Sequence, residues 1–290
     1  MCREASVAVA ASDNSAMIKN REFLVLLCTL AMALTFALPV AAQAQSSVFI
    51  EELTTQEVSI DLRAGKTTVL IPIGGTEQNG PHMAIGKHNV RAKALAGKIA
   101  MLLGNALVAP VLSYTPEGSI DPPTEHMGFA GTISISDDTF KNILLGTARS
   151  FKKHGFTDIV LLGDSGNYQK TLALVATQFN REAVKTNTRV HYIADYYRAT
   201  QTAYVDALKA KGLSSAEIGT HAGSADTSLL MAIDATMVRP ERLLDAARGG
   251  WKSGTLGDPR ASNAANGQLG IDAVVKITVE AVKKAVLLPR

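Results

Sequence analysis

The apolar residues of this chain fall into short continuous runs that alternate with longer segments at helical spacing. Residues 67–73, 106–112 and 158–162 are mainly apolar, which is typical of strands buried on both faces of a sheet. Residues 131–136 and 189–194 are expected to form two further strands. Residues 90–103 and 140–154 have the periodicity of helices. A further helix is expected after Asn167, to about residue 183, and a last helix over 271–287.

This alternation of strands and helices predicts an α/β fold, with a mostly parallel sheet flanked by helices on both faces. In such folds the reacting groups gather at the carboxyl ends of the strands, where loops lead into helices. Polar residues that directly follow a predicted strand are therefore the first candidates for a functional site.

Residues 17–44 have the three parts of a secretory signal peptide. Lys19 and Arg21 form a basic start, residues 23–40 are mainly apolar, and Ala42-Gln43-Ala44 is a small-residue cleavage pattern. A membrane anchor is the alternative, because the apolar run approaches the roughly 20 residues that span a bilayer. Pro39 and the cleavage pattern argue against an anchor, so we expect cleavage after Ala44 and a periplasmic or secreted protein. Met17 is an alternative start of translation.

The chain thus divides into an N-terminal extension with a signal peptide, residues 1–44, and one α/β domain, residues 45–290. Cys2 and Cys28 both lie in the segment expected to be removed, so disulfides and thiolate chemistry are excluded from the mature protein. The net charge of +3 gives no indication of a nucleic-acid partner. After cleavage no membrane association is expected.

Histidines and carboxylates are concentrated in the loops after the predicted strands. A lone loop histidine is usually just solvated, but four of the six histidines lie in such loops. Together with nearby carboxylates they supply nitrogen and oxygen donors that suit Zn, Mn or Fe. The candidate residues are Glu77, His82, His88, His126, Asp164, His221 and Asp226.

Four segments resemble, in the same order, the signatures of the creatininase family of amidohydrolases. Residues 71–82 resemble P-x-G-S-x-E-Q-H-G-P-H-L, and residues 125–134 resemble E-H-M-x-F-P-G-T-I-S. Residues 163–167 lie where the family has N-G-H-G-G-N, and residues 221–228 resemble H-A-G-E-x-E-T-S. The resemblance implies a creatininase-like fold, hydrolysis of a non-peptide C–N bond in a small linear or cyclic amide, and a homo-oligomer.

The metal-ligand positions implied by this resemblance are altered. Glu77 is kept, whereas Asn79 and Asp164 stand where the family has histidines and His88 stands where it has an aspartate. An aspartate can bridge two ions through its two oxygens, but a neutral imidazole offers one lone pair to one ion. We therefore expect one divalent ion at Glu77, His88 and Asp164, with Asn79 as a weak fourth ligand. No metal at all and a conventional two-metal site are the alternatives.

The remaining motif residues take their expected roles from the resemblance. A bound metal would lower the pKa of a water molecule and polarise an amide carbonyl. His221 and Asp226 occupy the motif expected to exchange a proton with the leaving nitrogen. The residues expected to contact the substrate are His82, Glu125, His126, Ser165 and Asn167.

Other functions fit parts of the pattern. The three altered ligand positions also suit a binding protein that keeps the pocket without the chemistry. A nucleophilic Ser165 is disfavoured, because its segment lacks the final glycine of a nucleophile elbow. Gly74-Gly75 is not a phosphate loop, since no Gly-Lys-Ser/Thr follows it.

Overall fold

A four-stranded parallel sheet lies at the centre of residues 47–288, the part of the chain that the computed structural model describes. The strand order is β2-β1-β3-β4. The predicted signal peptide, its cleavage site and both cysteines lie outside the described residues. The strands are β1 (Thr68–Ile73), β2 (Ala106–Val108), β3 (Asp158–Gly163) and β4 (Arg189–Tyr192).

Ten α-helices connect and cover these strands within the described range. Those that precede or follow the strands are α1 (Thr55–Arg63), α2 (Lys87–Leu103), α3 (Asp137–His154), α4 (Gln169–Glu182) and α5 (Ala194–Gln201). The remainder are α6 (Ala203–Ala210), α7 (Ser215–Ile218), α8 (Ser224–Asp234), α9 (Leu243–Gly249) and α10 (Ala264–Val286). Short 3-10 turns span Ile50–Glu52, Glu125–Gly128, Ala235–Met237, Pro240–Arg242, Gly250–Ser253 and Pro259–Ala261.

The core lies on both faces of the sheet, because successive strand residues point to opposite sides. Leu70 and Val160 face a layer formed mainly by α2, α5 and α10. Val69 and Leu161 face the layer formed by α3 and α4. All four residues are fully buried. Within residues 47–288, no helix is both long enough and apolar enough to span a bilayer.

The fold class predicted from the sequence is confirmed: the sheet is parallel and has helices on both faces. The strand predicted over residues 131–136 is wrong. This segment makes only two isolated bridges, from Ile133 to Thr76 and from Ser134 to Thr115. Because each bridge has a different partner, no continuous ladder forms.

Several element boundaries differ from those predicted. The strand predicted over 106–112 ends at Val108, before Pro110, which has no N–H to donate to a ladder. The helix predicted over 90–103 begins one turn earlier, at Lys87. That additional turn carries Lys87 and His88 into the functional site.

We expect the substitution Leu161→Ala to lower the free energy of unfolding by roughly 2–5 kcal/mol, because it leaves a cavity in the centre of β3. Leu161 is fully buried, whereas Leu174 on α4 is 62% exposed. The control Leu174→Ala should change stability by less than about 0.5 kcal/mol. Urea denaturation measures both values, and equal losses would contradict this packing.

Candidate active site

Chain segments at the carboxyl ends of β1 and β3 bring the candidate residues together. Glu77 lies in the loop between β1 and α2, and Asp164 directly follows β3. The first turn of α2 adds Lys87 and His88, and the first turn of α8 adds Asp226. This is the edge at which an open parallel sheet places its ligands.

Two basic side chains of α2 connect the carboxylates in pairs. The Lys87 ammonium lies 3.4 Å from Glu77 Oε1 and 3.3 Å from Asp226 Oδ2. His88 Nε2 lies 2.8 Å from Glu77 Oε1, and its Nδ1 lies 2.6 Å from Asp164 Oδ2. Each of these two side chains therefore bridges two carboxylates.

Arg91 joins the two remaining carboxylates, those of Asp164 and Asp226. Its Nη2 lies 2.8 Å from Asp164 Oδ2, and its Nη1 lies 2.5 Å from Asp226 Oδ1. Tyr196 donates a hydrogen bond to the other oxygen of Asp164, Oδ1, at 2.9 Å. Three basic and three acidic side chains thus alternate in a closed cycle, which we call the charge ring. Its members in order are Glu77, His88, Asp164, Arg91, Asp226 and Lys87.

The basic groups keep the carboxylates of the charge ring ionised. Burial alone would raise the pKa of Glu77, but His88 and Lys87 outweigh burial and hold that pKa well below its usual range. Burial likewise opposes ionisation of Asp226, but Lys87 and Arg91 hold its pKa well below the ordinary value. The pKa of His88 is raised despite burial and the nearby Lys87, because Glu77 and Asp164 favour its protonated form.

A second cluster shares Glu77 and has the composition of a metal site. His126 Nε2 lies 3.4 Å from Glu77 Oε2, and His221 Nδ1 lies 3.7 Å from Glu77 Oε1. One ligand atom from each of these three residues lies within 4.8 Å of the others. Two ligand atoms on one tetrahedral zinc ion lie about 3.3 Å apart, given bonds of about 2 Å. The donor set therefore fits a single divalent ion with little movement.

A residue with strained backbone lies next to each of the two histidines of this cluster. Glu125, directly before His126, has φ 50°, and Ala222, directly after His221, has φ 56°. A non-glycine residue in the left-handed region is uncommon and costs roughly 1–2 kcal/mol. The surrounding loops hold this conformation and aim both imidazoles at Glu77.

Gln78 sets the hydrogen bonding of both imidazoles. His221 Nε2 lies 3.0 Å from the Gln78 backbone carbonyl, so this nitrogen carries the proton and Nδ1 keeps its lone pair towards Glu77. The Gln78 side-chain amide lies 3.1 Å from His126 Nδ1. In this orientation Gln78 Nε2 faces Nδ1, while Gln78 Oε1 accepts a hydrogen bond from the Gly80 backbone N–H at 3.1 Å. Metal binding through His126 Nε2 requires a proton on Nδ1, so the Gln78 carboxamide must rotate to present its oxygen there and give up the bond from Gly80.

Glu117 is a protonated carboxyl beside this cluster. Burial and the neighbouring Glu77 carboxylate raise the pKa of Glu117 to about 8. Thr115 donates to one of its oxygens at 2.8 Å, and Asn167 Nδ2 donates to the other at 2.8 Å. Glu117 therefore holds a proton near the site at neutral pH.

A cavity of about 200 Å³ opens onto both the charge ring and the His126–His221 pair. Trp251 forms one wall, with its ring centroid 5.8 Å from His126 and 6.2 Å from His221 in edge-on contacts. Ser165 and Asn167 add polar groups to the lining. A larger groove of about 690 Å³ lies between α2 and α10, but it contains none of the motif residues.

The structure distributes the predicted site residues differently from their predicted roles. Glu77, His126 and His221 form the group suited to a metal ion, which we call the metal cluster. Of the predicted metal ligands, Glu77 belongs to this cluster, while His88 and Asp164 contact each other within the charge ring. Asn79 is fully buried, and its amide donates to the Glu77 backbone carbonyl at 2.8 Å. The other two members of the metal cluster, His126 and His221, have predicted roles as substrate contact and proton carrier.

The predicted substrate contacts also occupy different places. His82 is fully buried, and its Nε2 lies 2.9 Å from Thr227 Oγ1, so it supports the loop from beneath. Glu125 is exposed, while Ser165 and Asn167 line the cavity. Asp226 has 23% of its side chain exposed and also accepts a hydrogen bond from the Ala222 backbone N–H at 2.9 Å.

Sequence reasoning missed several residues of this site, Gln78 and Tyr196 among them. Lys87 and Arg91 are four residues apart, so they lie on the same face of a helix. Two basic residues at this spacing beside an apolar helix face could have been recognised in the sequence as site candidates. Trp251 and Glu117 come from loops and carried no comparable signal.

Buried neutral histidines predict a loss of stability in mild acid. Burial lowers the pKa of His82 to about 4, and burial together with Lys87 lowers that of His221 to about 3. An unfolded histidine has a pKa of about 6.5, so the unfolded chain binds more protons below that pH. The contribution of His82 is complete above pH 6.5, and about 3 kcal/mol of it is lost as the pH falls to 4.

The variant His82→Gln should show a flatter fall in the free energy of unfolding between pH 6.5 and 4 than the unaltered protein. His154 is exposed, so His154→Gln is the matched control and should keep the full slope. Urea denaturation at several pH values measures both. Identical slopes for the two variants would contradict the assignment of His82 as a buried neutral imidazole.

Most of this chain is similar in sequence to one known protein family. A family model described as creatinine amidohydrolase matches residues 51–282. The mycofactocin precursor peptide peptidase of Mycolicibacterium smegmatis is 28% identical over 221 residues, covering 69% of this chain and 78% of that protein. The creatinine amidohydrolase of Pseudomonas putida is 28% identical over 204 residues, covering 69% of this chain and 76% of that protein.

A solved structure of a mutant creatininase described as the Zn-Zn type has the same fold. It aligns with a TM-score of 0.68 and 23% sequence identity, covering 84% of this chain and 100% of that chain. The family match spans most of the chain, and the four motifs lie in order around one site. The chain therefore belongs to the creatininase family.

Proposed function

We propose that this protein is an amidohydrolase that uses one divalent metal ion, held by Glu77, His126 and His221, to cleave a non-peptide C–N bond of a small linear or cyclic amide. The observation that carries the proposal is the convergence of these three ligand atoms, all within 4.8 Å of one another, at the wall of the cavity. The volume of about 200 Å³ suits a small substrate. The names of the two relatives, an amidohydrolase and a peptidase, support hydrolysis of a C–N bond, and the amidohydrolase supports a non-peptide one.

A divalent ion such as Zn, Mn or Fe at this position would polarise the amide carbonyl and lower the pKa of a water molecule. The side chains around this position orient the metal ligands and the substrate and neutralise their charges. Trp251 shields the two imidazoles from solvent on one side, and Asn167 and Ser165 offer polar groups to the substrate. Gln78 fixes the orientation of both imidazoles through its backbone and side chain.

Proton transfer to the leaving nitrogen has two candidate routes among the described residues. Asp226 stays ionised at neutral pH because Lys87 and Arg91 lower its pKa, so it can accept a proton but has none to donate. Glu117 holds a proton, and Asn167, which bonds to it, lies at the cavity. The proposal assigns Asp226 to accept a proton from the attacking water and return it to the leaving nitrogen, which is the role that the sequence motif suggested for it.

Removal of one metal ligand tests this function. In the domain spanning residues 45–290, Glu77→Gln, His126→Ala and His221→Ala should each lower metal affinity and the release of amine or ammonia from small amides by roughly 100-fold or more. Creatinine and a panel of linear and cyclic amides serve as substrates, and elemental analysis measures the metal. The control His154→Ala removes an exposed histidine and should change neither value. Activity that persists in metal-free protein would contradict the proposal.

A second candidate function is a binding protein without catalysis. It is favoured by the charge ring, in which His88, Asp164 and Asp226 are already engaged by protein partners. Thermal stabilisation by small amides that is equal with and without added metal, and without turnover, would favour this candidate. Measured turnover would exclude it.

We further propose that the protein acts in the periplasm or outside the cell, on the basis of the signal-peptide pattern of residues 17–44. Expression of the full chain in a bacterial host that exports proteins should yield a mature form beginning at Gln45, measured by mass spectrometry of the periplasmic fraction. A cytoplasmic product that retains residues 17–44 would contradict export. The homo-oligomer expected from the resemblance stays a prediction, and size-exclusion chromatography with light scattering measures it.

A further inference from the structure

Three carboxylates meet in the buried part of this site, and their repulsion has to be offset. The side chains of Asp164 and Glu77 are 0% and 2% exposed, and that of Asp226 is 23% exposed. Burying ionised carboxylates is costly unless opposite charges and hydrogen bonds compensate. In a metal centre, divalent cations supply that compensation.

Here the compensating charges come from the protein itself. Lys87, His88 and Arg91 all project from the first two turns of α2. Each of them contacts two of the carboxylates, and each carboxylate contacts two of them. Three basic side chains of the protein therefore fill the space between the three carboxylates.

The ring also gives every potential ligand atom of His88 and Asp164 a protein partner. Both ring nitrogens of His88 lie within hydrogen-bonding distance of carboxylate oxygens, at 2.8 Å and 2.6 Å, so each already has a protein partner. Asp164 Oδ2 accepts from His88 and Arg91, and Oδ1 accepts from Tyr196. In the metal cluster, by contrast, Glu77 Oε2 faces His126, outside the ring contacts.

We propose that Lys87, His88 and Arg91 take the place of a second metal ion, so that the chain holds Glu77, Asp164 and Asp226 together with its own cations and binds at most one divalent ion. This arrangement differs from a two-zinc creatininase such as the Zn-Zn type. The inference concerns metal content and stability and does not depend on catalysis. A protein that binds no metal at all would contradict the proposed function and leave this inference standing.

Two variants that remove charges of opposite sign from the charge ring test the inference. Lys87→Met leaves the ring with an excess negative charge, whereas Asp226→Asn leaves an excess positive charge. Breaking a buried ion pair should lower the melting temperature by roughly 10 °C in either case, measured in EDTA. Melting temperatures are compared with that of the unaltered protein at the same metal concentration, because a metal at Glu77, His126 and His221 would stabilise every variant. Added Zn²⁺ or Mn²⁺ should close most of this difference for Lys87→Met, because a cation replaces the missing ammonium, and should leave the difference for Asp226→Asn unchanged.

The control is Lys98→Met, which removes an exposed lysine from the same helix and should behave as the unaltered protein. Elemental analysis of the unaltered protein, equilibrated with Zn²⁺ and freed of excess ion, should find no more than one ion per chain. If Lys87→Met fails to fold in EDTA, refolding with Zn²⁺ should recover soluble folded protein.

Three results would overturn the inference. They are two bound ions per chain in the unaltered protein, the same response to metal in Lys87→Met and Asp226→Asn, or a Lys87→Met variant that remains unfolded with and without Zn²⁺. None of these measurements uses a substrate, so each is independent of the proposed hydrolysis.

Discussion

The neutralisation of three carboxylates, two of them buried, by Lys87, His88 and Arg91 is the constraint on which the rest of the site depends. These basic residues sit at the start of α2, so the position of that helix fixes where Glu77, Asp164 and Asp226 can meet. The positive end of the helix dipole adds to the attraction for the carboxylates. The loops after β1 and β3 and the first turn of α8 are thereby tied to one helix end.

Glu77 links this ring to the cluster suited to a metal ion. Its Oε1 contacts His88 and Lys87, while its Oε2 faces His126. The nearby ammonium and a bound metal compete for the same carboxylate, so the ring must weaken metal binding relative to a site without Lys87. On this proposal, a member of a family of amidohydrolases combines one metal position with an internal set of cations.

Much of the fold could be predicted from the sequence, because a strand buried on both faces shows as a continuous apolar run such as residues 67–73. The strand predicted over residues 131–136 was wrong because strand propensity does not reveal whether a partner strand is adjacent. The early start of α2 was missed since Lys87 and His88 interrupt its apolar pattern.

The candidate residues could be named from motifs, but their partners could not. Glu77, His88, Asp164 and Asp226 do lie together, as strand ends in an α/β fold suggest. The contact between His88 and Asp164 depends on the path of two loops. That path is set by contacts between residues distant in sequence, so the sequence did not show that His88 would face Asp164 rather than open space. The strained backbone at Glu125 and Ala222, which aims His126 and His221 at Glu77, has no local sequence signature.

Anomalous diffraction at the zinc absorption edge, from crystals equilibrated with Zn²⁺, tests this account most directly. The account predicts one peak in the site, bonded to Glu77, His126 and His221, with Lys87 and Arg91 still in contact with the carboxylates. A peak bonded to His88 and Asp164, alone or beside the first, would contradict it.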